Sequence, residues 1–316
     1  MSTSGHGEVA AILGYGNQGA AHALNLRDSG RRVIVGARPG RGAEARAKEA
    51  GFEVFAPAEA AARADVIAML VPDEAVPDAW GTVGPALKSG ACLVFAHGFN
   101  LLYGALDVRA DADVVLVAPT GPGRVLRQVY ERGDGLPAYL AVHQDGSGRA
   151  WKRAEDYAEW LGCARARLWR TTVREETEVD LFGEQSVLCG GMNELVTAAW
   201  ETLVEAGYSP EIAYLECVHQ LKFLADLLHE RGVSGLRQGI SGTALYGDVS
   251  RGARVIGPAS REAMKGMLEE IRSGAFAKEL AAEVAAGRPT IRRETARAAA
   301  HPMEAARRRA LGLPEG

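Results

Sequence analysis

The sequence predicts an α/β protein, with a Rossmann-type, doubly wound parallel sheet over residues 1–172 and an all-α domain over 173–316. Three observations lead there. Short apolar runs alternate with helical patterns through the first half of the chain. The first run ends in a glycine triplet that opens a helix. Beyond Thr172 the apolar residues recur only at helical spacing.

Residues 9–14 (VAAILG) form a short apolar run of the kind expected of a strand buried on both faces. Residues 17–29 follow as an Ala- and Leu-rich helix closed by Gly30. Residues 32–37 (RVIVGA) read as a second strand and 43–50 (AEARAKEA) as a second helix ending at Gly51. Further strands are expected at 65–71, 92–95, 113–118 and 138–142. Strands separated by helices call for parallel pairing through crossover connections. The domain boundary falls near residues 168–173. Residues 173–231 and 260–311 then read as helical.

Composition excludes several functions. Lys plus Arg total 36 against 40 Asp plus Glu, so neither a strongly basic nucleic-acid binder nor an acidic tail is expected. Of those 36 cations only six are lysine, a bias that a GC-rich coding sequence produces. No apolar run reaches the roughly 18–20 residues that span a bilayer, and the first eight residues lack the pattern of a leader. A cytoplasmic protein with no nucleic-acid or membrane partner is expected. Four scattered cysteines suit neither a disulfide framework nor a zinc site. Cys189 and Cys217 are expected to be buried and structural, and the five tryptophans to pack helices.

Gly14-Tyr15-Gly16-Asn17-Gln18-Gly19 is a G-x-G-x-x-G between a strand and a helix. Gly14 permits a tight turn, Gly16 close approach of backbone to a pyrophosphate, and Gly19 close packing of helix on strand. The helix N-terminus then offers N–H donors and partial positive charge. An NAD site usually carries an acid at the end of the second strand. Here the strand runs into Arg38 and Arg41, whose guanidinium groups suit a 2′-phosphate. NADPH is therefore the expected cofactor.

His97 follows the strand at 92–95, at the carboxyl end where open α/β sheets bind ligands. It can donate a proton or orient a ligand. The segment 118–123 (APTGPG) follows the next strand and ends at Gly123. Asp180 and Glu184 lie four apart on one helical face, and Glu216 and Gln220 repeat that spacing one helix later. Such oxygen donors form a reasonable cage for Mg²⁺, although a solvated acidic face has the same pattern.

Longer blocks carry a resemblance: 14–30 (GYGNQGAAHALNLRDSG), 97–99, 141–145 (AVHQD), 175–191 (EETEVDLFGEQSVLCGG), 205–216 (EAGYSPEIAYLE) and 246–248. Through them the chain resembles the ketol-acid reductoisomerases of the short, class I form over nearly its whole length. The resemblance implies an NADPH- and Mg²⁺-dependent enzyme that migrates an alkyl group in a 2-acetohydroxy acid and then reduces the ketone. It implies a knotted helical domain and a homodimer with shared active sites, with a higher oligomer compatible. It also implies Asp180 and Glu184 as metal ligands from one subunit, Glu216 as a ligand from the other, Ser241 at the substrate carboxylate, and His97 in the active site.

Three places depart from the family pattern. Thr120 stands where the family has lysine, Gln220 where it has a second glutamate, and Gly242 and Leu245 where it has asparagine and glutamate. Alkyl migration needs a stabilised alkoxide, which two metals and a lysine supply; hydride transfer asks only for a polarised acceptor near the nicotinamide. The sequence therefore favours a reductase of a small keto acid or imine, with isomerase activity weakened or lost and metal sites less than full. The alternatives are an ordinary ketol-acid reductoisomerase and a non-catalytic NADPH-binding protein.

Overall fold

Residues 7–314 are described by a computed structural model. Most of the segment read as lacking a leader lies outside them. The chain divides into two compact units between Val179 and Asp180, inside a helix, a little beyond the boundary the sequence suggests.

The first unit contains an eight-stranded sheet: β1 (Val9–Leu13), β2 (Arg32–Gly36), β3 (Glu53–Phe55), β4 (Val66–Met69), β5 (Cys92–Phe95), β6 (Asp113–Pro119), β7 (Ala138–Asp145) and β8 (Leu168–Arg170). Their spatial order is β3-β2-β1-β4-β5-β6-β7-β8. β1 lies centrally and pairs in parallel with β2 (Leu13 opposite Gly36) and with β4 (Leu13 opposite Met69). The strand order reverses there, which opens the crevice where such sheets bind ligands.

Between the strands run α1 (Asn17–Asp28), α2 (Gly42–Glu49), α3 (Pro57–Arg63), α4 (Val76–Val83), α5 (Phe99–Leu102), α6 (Gly123–Glu131) and α7 (Ala150–Trp160). Alternation along each strand builds two cores. Ile12, Val35 and Val94 bury one way with Leu26, Tyr157 and Leu161, and Leu13, Ile34 and Leu93 bury the other way with Ala60, Trp80 and Val83. Each fully buried Leu or Ile contributes on the order of 2 kcal/mol.

The expectation of parallel pairing throughout needs one correction. β7 runs antiparallel to β6, with Pro119 opposite Ala138, while β8 runs parallel to β7. The intervening helix α6 packs along α1, where Arg127 pairs with Asp28 at 2.7 Å. The chain thus leaves β6 and enters β7 at the same end of the sheet. The short strands β3 and β8 carry no signal that the sequence reading picked up. β8 also overturns one packing expectation, because Trp169 is 49% exposed on this edge strand.

Helix α8 (Val173–Gly183) carries the chain across the division. The second unit is helical, as predicted: α9 (Gly190–Glu205), α10 (Pro210–Tyr214), α11 (Leu221–Gly239), α12 (Gly242–Val255), α13 (Pro258–Arg272), α14 (Ala275–Ala285), α15 (Pro289–Ala299) and α16 (Pro302–Leu311). Trp200, Ala213, Tyr214 and Ala306 form its core, and Trp200 Nε1 donates to the Pro210 carbonyl at 2.9 Å. Two segments widen into π-helix, Glu184–Leu188 and Leu215–His219. Cys189 is exposed and Cys217 half-buried, so neither is the buried structural cysteine expected. Among the described residues no helix is long and apolar enough to cross a membrane.

Candidate active site

The β1–α1 turn takes the form the glycine spacing predicts. Gly14 has φ +95°, and a Cβ there would lie 2.7 Å from the Leu70 carbonyl oxygen; no side chain is tolerated in that space. At Gly19 a Cβ would come within 2.1 Å of the Gly14 oxygen, so the helix can sit this close to the strand only as glycine. Gly16 caps α1 and faces open space, with nothing within 4 Å of a Cβ position. A pyrophosphate could approach the backbone here.

This turn is tied to the β6–α6 loop, a link no sequence spacing reveals. Gln18 Nε2 donates to the Gly121 carbonyl at 3.0 Å, and the Arg124 N–H donates to Asn17 Oδ1 at 3.1 Å. A Cβ on Gly123 would stand 2.1 Å from the Asn17 oxygen, so that glycine is required by close approach. Gln18 Oε1 is buried with no hydrogen-bond partner among the described residues. A buried acceptor beside such a turn suits a dinucleotide that brings hydroxyl donors of its own.

Tyr15 is buried against Phe52, and its carbonyl accepts from the Arg46 guanidinium at 3.1 Å. Burial raises the Tyr15 phenol above its ordinary range, opposed by Arg27, Arg46 and Arg127. Arg38 and Arg41 are exposed in the β2–α2 loop. Arg46, which the sequence reading passed over, is the cation that reaches back to the glycine turn. Its place on α2, the helix that follows the β2 tip, was the available signal.

Two strands along, at the end of β5, a second cluster forms. Glu176 of α8 is almost fully buried; its Oε2 accepts the Gly98 N–H at 3.1 Å and its Oε1 lies 3.5 Å from His97 Nδ1. Asn100 Nδ2 donates to both the carbonyl and the Oδ1 of Asp73, each at 3.0 Å. Burial raises the Asp73 carboxyl above its ordinary range, with His97 opposing the shift. Glu176 and Asp73 were not among the predicted site residues. Glu176 stands four residues before Asp180, the helical spacing already noted for Asp180 and Glu184, and that repetition could have found it.

Thr120 follows β6 and is exposed, and its hydroxyl donates to the Pro137 carbonyl at 2.9 Å. In the second unit, Asp180 is half-buried near the end of α8 and Glu184 begins the first π segment. Glu216 lies in the second π segment and Gln220 follows it, its N–H bonding the Leu215 carbonyl at 3.2 Å. Asp180 and Glu184 keep their spacing of four at the end of α8, whereas Glu216 and Gln220 are separated by a π turn, which aligns i with i+5. π-Helical turns occur frequently at functional sites. Ser241 caps α12, its Oγ accepting the Ala244 N–H at 3.2 Å. Carboxylate and amide oxygens form an all-oxygen donor set suited to Mg²⁺. Among the described residues no three His, Cys, Asp or Glu side chains come together as a cation site within this one chain.

A mostly parallel sheet with a glycine turn at its switch point defines a dinucleotide-binding protein, and the histidine cluster at a neighbouring strand tip suits an oxidoreductase. Comparison with known proteins identifies which kind. Residues 6–167 match the family model "Acetohydroxy acid isomeroreductase, NADPH-binding domain", and residues 173–311 match "Ketol-acid reductoisomerase, C-terminal domain". Ketol-acid reductoisomerases (NADP(+)) from two strains of Xylella fastidiosa are each 51% identical over 295 residues, covering 93% of this chain and 84% of theirs. A solved NADH-preferring ketol-acid reductoisomerase from an uncultured archean superposes with a TM-score of 0.94 at 38% identity, covering 98% of this chain and 95% of that one. A semialdehyde dehydrogenase NAD-binding protein from Cupriavidus necator shares the fold alone, with a TM-score of 0.64 at 20% identity over 84% of this chain and 99% of that one. The chain belongs to the ketol-acid reductoisomerase family and is an NADPH-binding, NADP-dependent oxidoreductase.

Proposed function

We propose that this protein converts a 2-acetohydroxy acid into the 2,3-dihydroxy acid of branched-chain amino-acid synthesis, consuming NADPH. The observation that carries this reading is the match of both family models, one to each half of the chain. The sequence reading put a reductase-only enzyme first; identity of 51% to proteins named for the full reaction favours the ordinary activity instead.

The overall change balances as an internal alkyl shift, which is redox-neutral, followed by addition of hydride and a proton to the ketone. When bound, NADPH supplies the hydride, and Mg²⁺ supplies charge that stabilises the alkoxide. Gly14, Tyr15, Gly16, Asn17, Gln18, Gly19 and Gly123 shape the dinucleotide turn, and Arg38 and Arg41 suit the 2′-phosphate. Asp180, Glu184 and Glu216 would hold Mg²⁺, with Gln220 offering an amide oxygen and Ser241 a hydroxyl for the substrate carboxylate. Glu176 beside Nδ1 of His97 favours a proton on that nitrogen and orients the ring.

A homodimer with shared sites is part of this reading. Helices α11 and α12 have no buried residue among those described, yet they carry Leu221, Phe223, Leu228, Tyr246, Val249 and Val255 exposed. Apolar surface on this scale marks an interface, and light scattering at twice the chain mass or a multiple of it is expected. A cytoplasmic location is also part of this reading.

One observation favours the second reading, a reductase with weakened isomerase. The side chain at 120 is a hydroxyl bonded to Pro137 rather than a cation. Two substrates separate the readings: 2-acetolactate, which needs both steps, and the already rearranged 3-hydroxy-2-keto acid, which needs only hydride. Comparable turnover of both with NADPH and Mg²⁺ is expected. Turnover of the rearranged acid alone would establish the reductase-only reading.

A further inference from the structure

The loop between β2 and α2 already holds an anion of its own. Glu44 Oε2 accepts the Gly40 N–H at 2.6 Å, and Glu44 Oε1 takes the Lys48 ammonium at 2.6 Å. Gly40, Glu44 and Lys48 line, with Arg41, Gly42 and Ala45, an open cavity of about 410 Å³. A backbone N–H in a left-handed glycine turn (φ +71°), an ammonium and a guanidinium are the donors a phosphate takes. A carboxylate now satisfies two of them.

Helix capping accounts for part of this arrangement. Glu44 is the third residue of α2 and reaches back to the chain before the helix, as capping-box glutamates do. Lys48 four residues on adds an ordinary helical pair. Neither role needs the negative charge to lie in a cavity beside Arg41, and a glutamine would cap as well. The Lys48 hydrogen bond, with that from Gly40, holds the Glu44 carboxyl below its ordinary range.

We propose that Glu44 is a specificity-determining residue. Its carboxylate competes with the 2′-phosphate of NADPH for the Gly40 N–H and Lys48 beside Arg41, and so narrows the preference for NADPH over NADH. NADH, with a 2′-hydroxyl, brings no competing charge and leaves the carboxylate in place. This inference rests on reading the β2 tip as the 2′-phosphate end of the cofactor site.

The test compares the full chain with its Glu44→Gln variant by calorimetric titration of NADPH, NADH and adenosine 2′-phosphate. Glutamine keeps an oxygen for the Gly40 N–H, so the helix cap survives while the charge is lost. NADPH and adenosine 2′-phosphate are expected to bind about three- to tenfold more tightly, with NADH unchanged. Equal shifts for the two dinucleotides, or no shift for either, would overturn the proposal. Arg41→Ala separates the two layers of inference. If it weakens NADPH selectively while Glu44→Gln is silent, the β2 tip remains the phosphate end and only the role of Glu44 falls. If it leaves the NADPH-to-NADH ratio unchanged, the phosphate reading of the loop falls and the proposal with it.

Discussion

Oε1 of Glu176 lies 3.5 Å from Nδ1 of His97, and the other oxygen of the same carboxylate accepts the N–H of Gly98 at 3.1 Å. One buried side chain from α8 thus bonds the backbone and faces the imidazole at the end of β5. The carboxylate faces one nitrogen of the ring from 3.5 Å, close enough to bias how the imidazole sits.

Replacing Glu176 by Gln keeps an acceptor for the Gly98 N–H but removes the charge facing His97. We expect kcat to fall by about tenfold to a hundredfold through loss of ring orientation. The NADPH dissociation constant should stay near wild type. Steady-state kinetics paired with cofactor titration measure both, and an unchanged kcat would remove Glu176 from the catalytic apparatus.

Gly123→Ala places a methyl carbon where the Asn17 oxygen lies 2.1 Å away. Because both sides of that contact are backbone, the β1–α1 and β6–α6 loops must separate. Stability should drop by about 1–3 kcal/mol, read from urea midpoints, and NADPH binding should weaken because the Asn17 and Gln18 anchors move. A variant as stable as wild type with unchanged cofactor affinity would show that the close approach is not needed.

His22 is completely buried, with Nδ1 2.9 Å from the Tyr157 hydroxyl, and burial lowers its pKa from 6.5 to about 3. The unfolded chain takes up a proton near pH 6.5 that the folded chain refuses until about pH 3. The unfolded state therefore holds more protons in that window. Stability is full above it and falls on acidification by up to about 1.4 kcal/mol per pH unit. Urea unfolding between pH 7.5 and 4.5 should show a shallower loss in His22→Asn than in wild type; parallel curves would assign the acid sensitivity elsewhere.

Thr120→Lys restores a cation at the one position where composition bias fails to explain its absence, since that bias would leave arginine. If isomerisation is weakened in the native chain, turnover of 2-acetolactate should rise about tenfold toward that of the rearranged keto acid, whose own reduction changes by no more than about twofold; if the native chain already turns over both equally, neither should change by more than about twofold. Equal gains on both substrates would assign residue 120 to substrate binding rather than to alkyl migration.

Much of this was legible in the residues. The glycine turn read true because each glycine answers a local steric demand, and β1, β2 and β5 fell within a residue of their expected bounds because buried strands are nearly all apolar. Trp169 and the strand β8 escaped because a three-residue edge strand has too few positions to show a pattern. Arg46, Asp73 and Glu176 escaped for a different reason: each acquires its role from a partner 24 to 79 positions away in sequence, through Tyr15, His97 and the backbone of Gly98.

The sequence by itself determined the α/β class, the cofactor turn, the helical second half and, through long matching blocks, the family. Local sterics and hydrophobic period act over a few residues, so they survive in a one-dimensional reading. Tertiary structure alone decided that β7 runs antiparallel, that Gln18 and Asn17 clasp the β6–α6 loop, and that Glu176 faces His97. It also placed a π turn between Glu216 and Gln220 and set Glu44 in a cavity beside two cations. Those outcomes depend on which elements pack together, and burial and hydrogen-bond geometry between distant segments decide that only once the chain has folded.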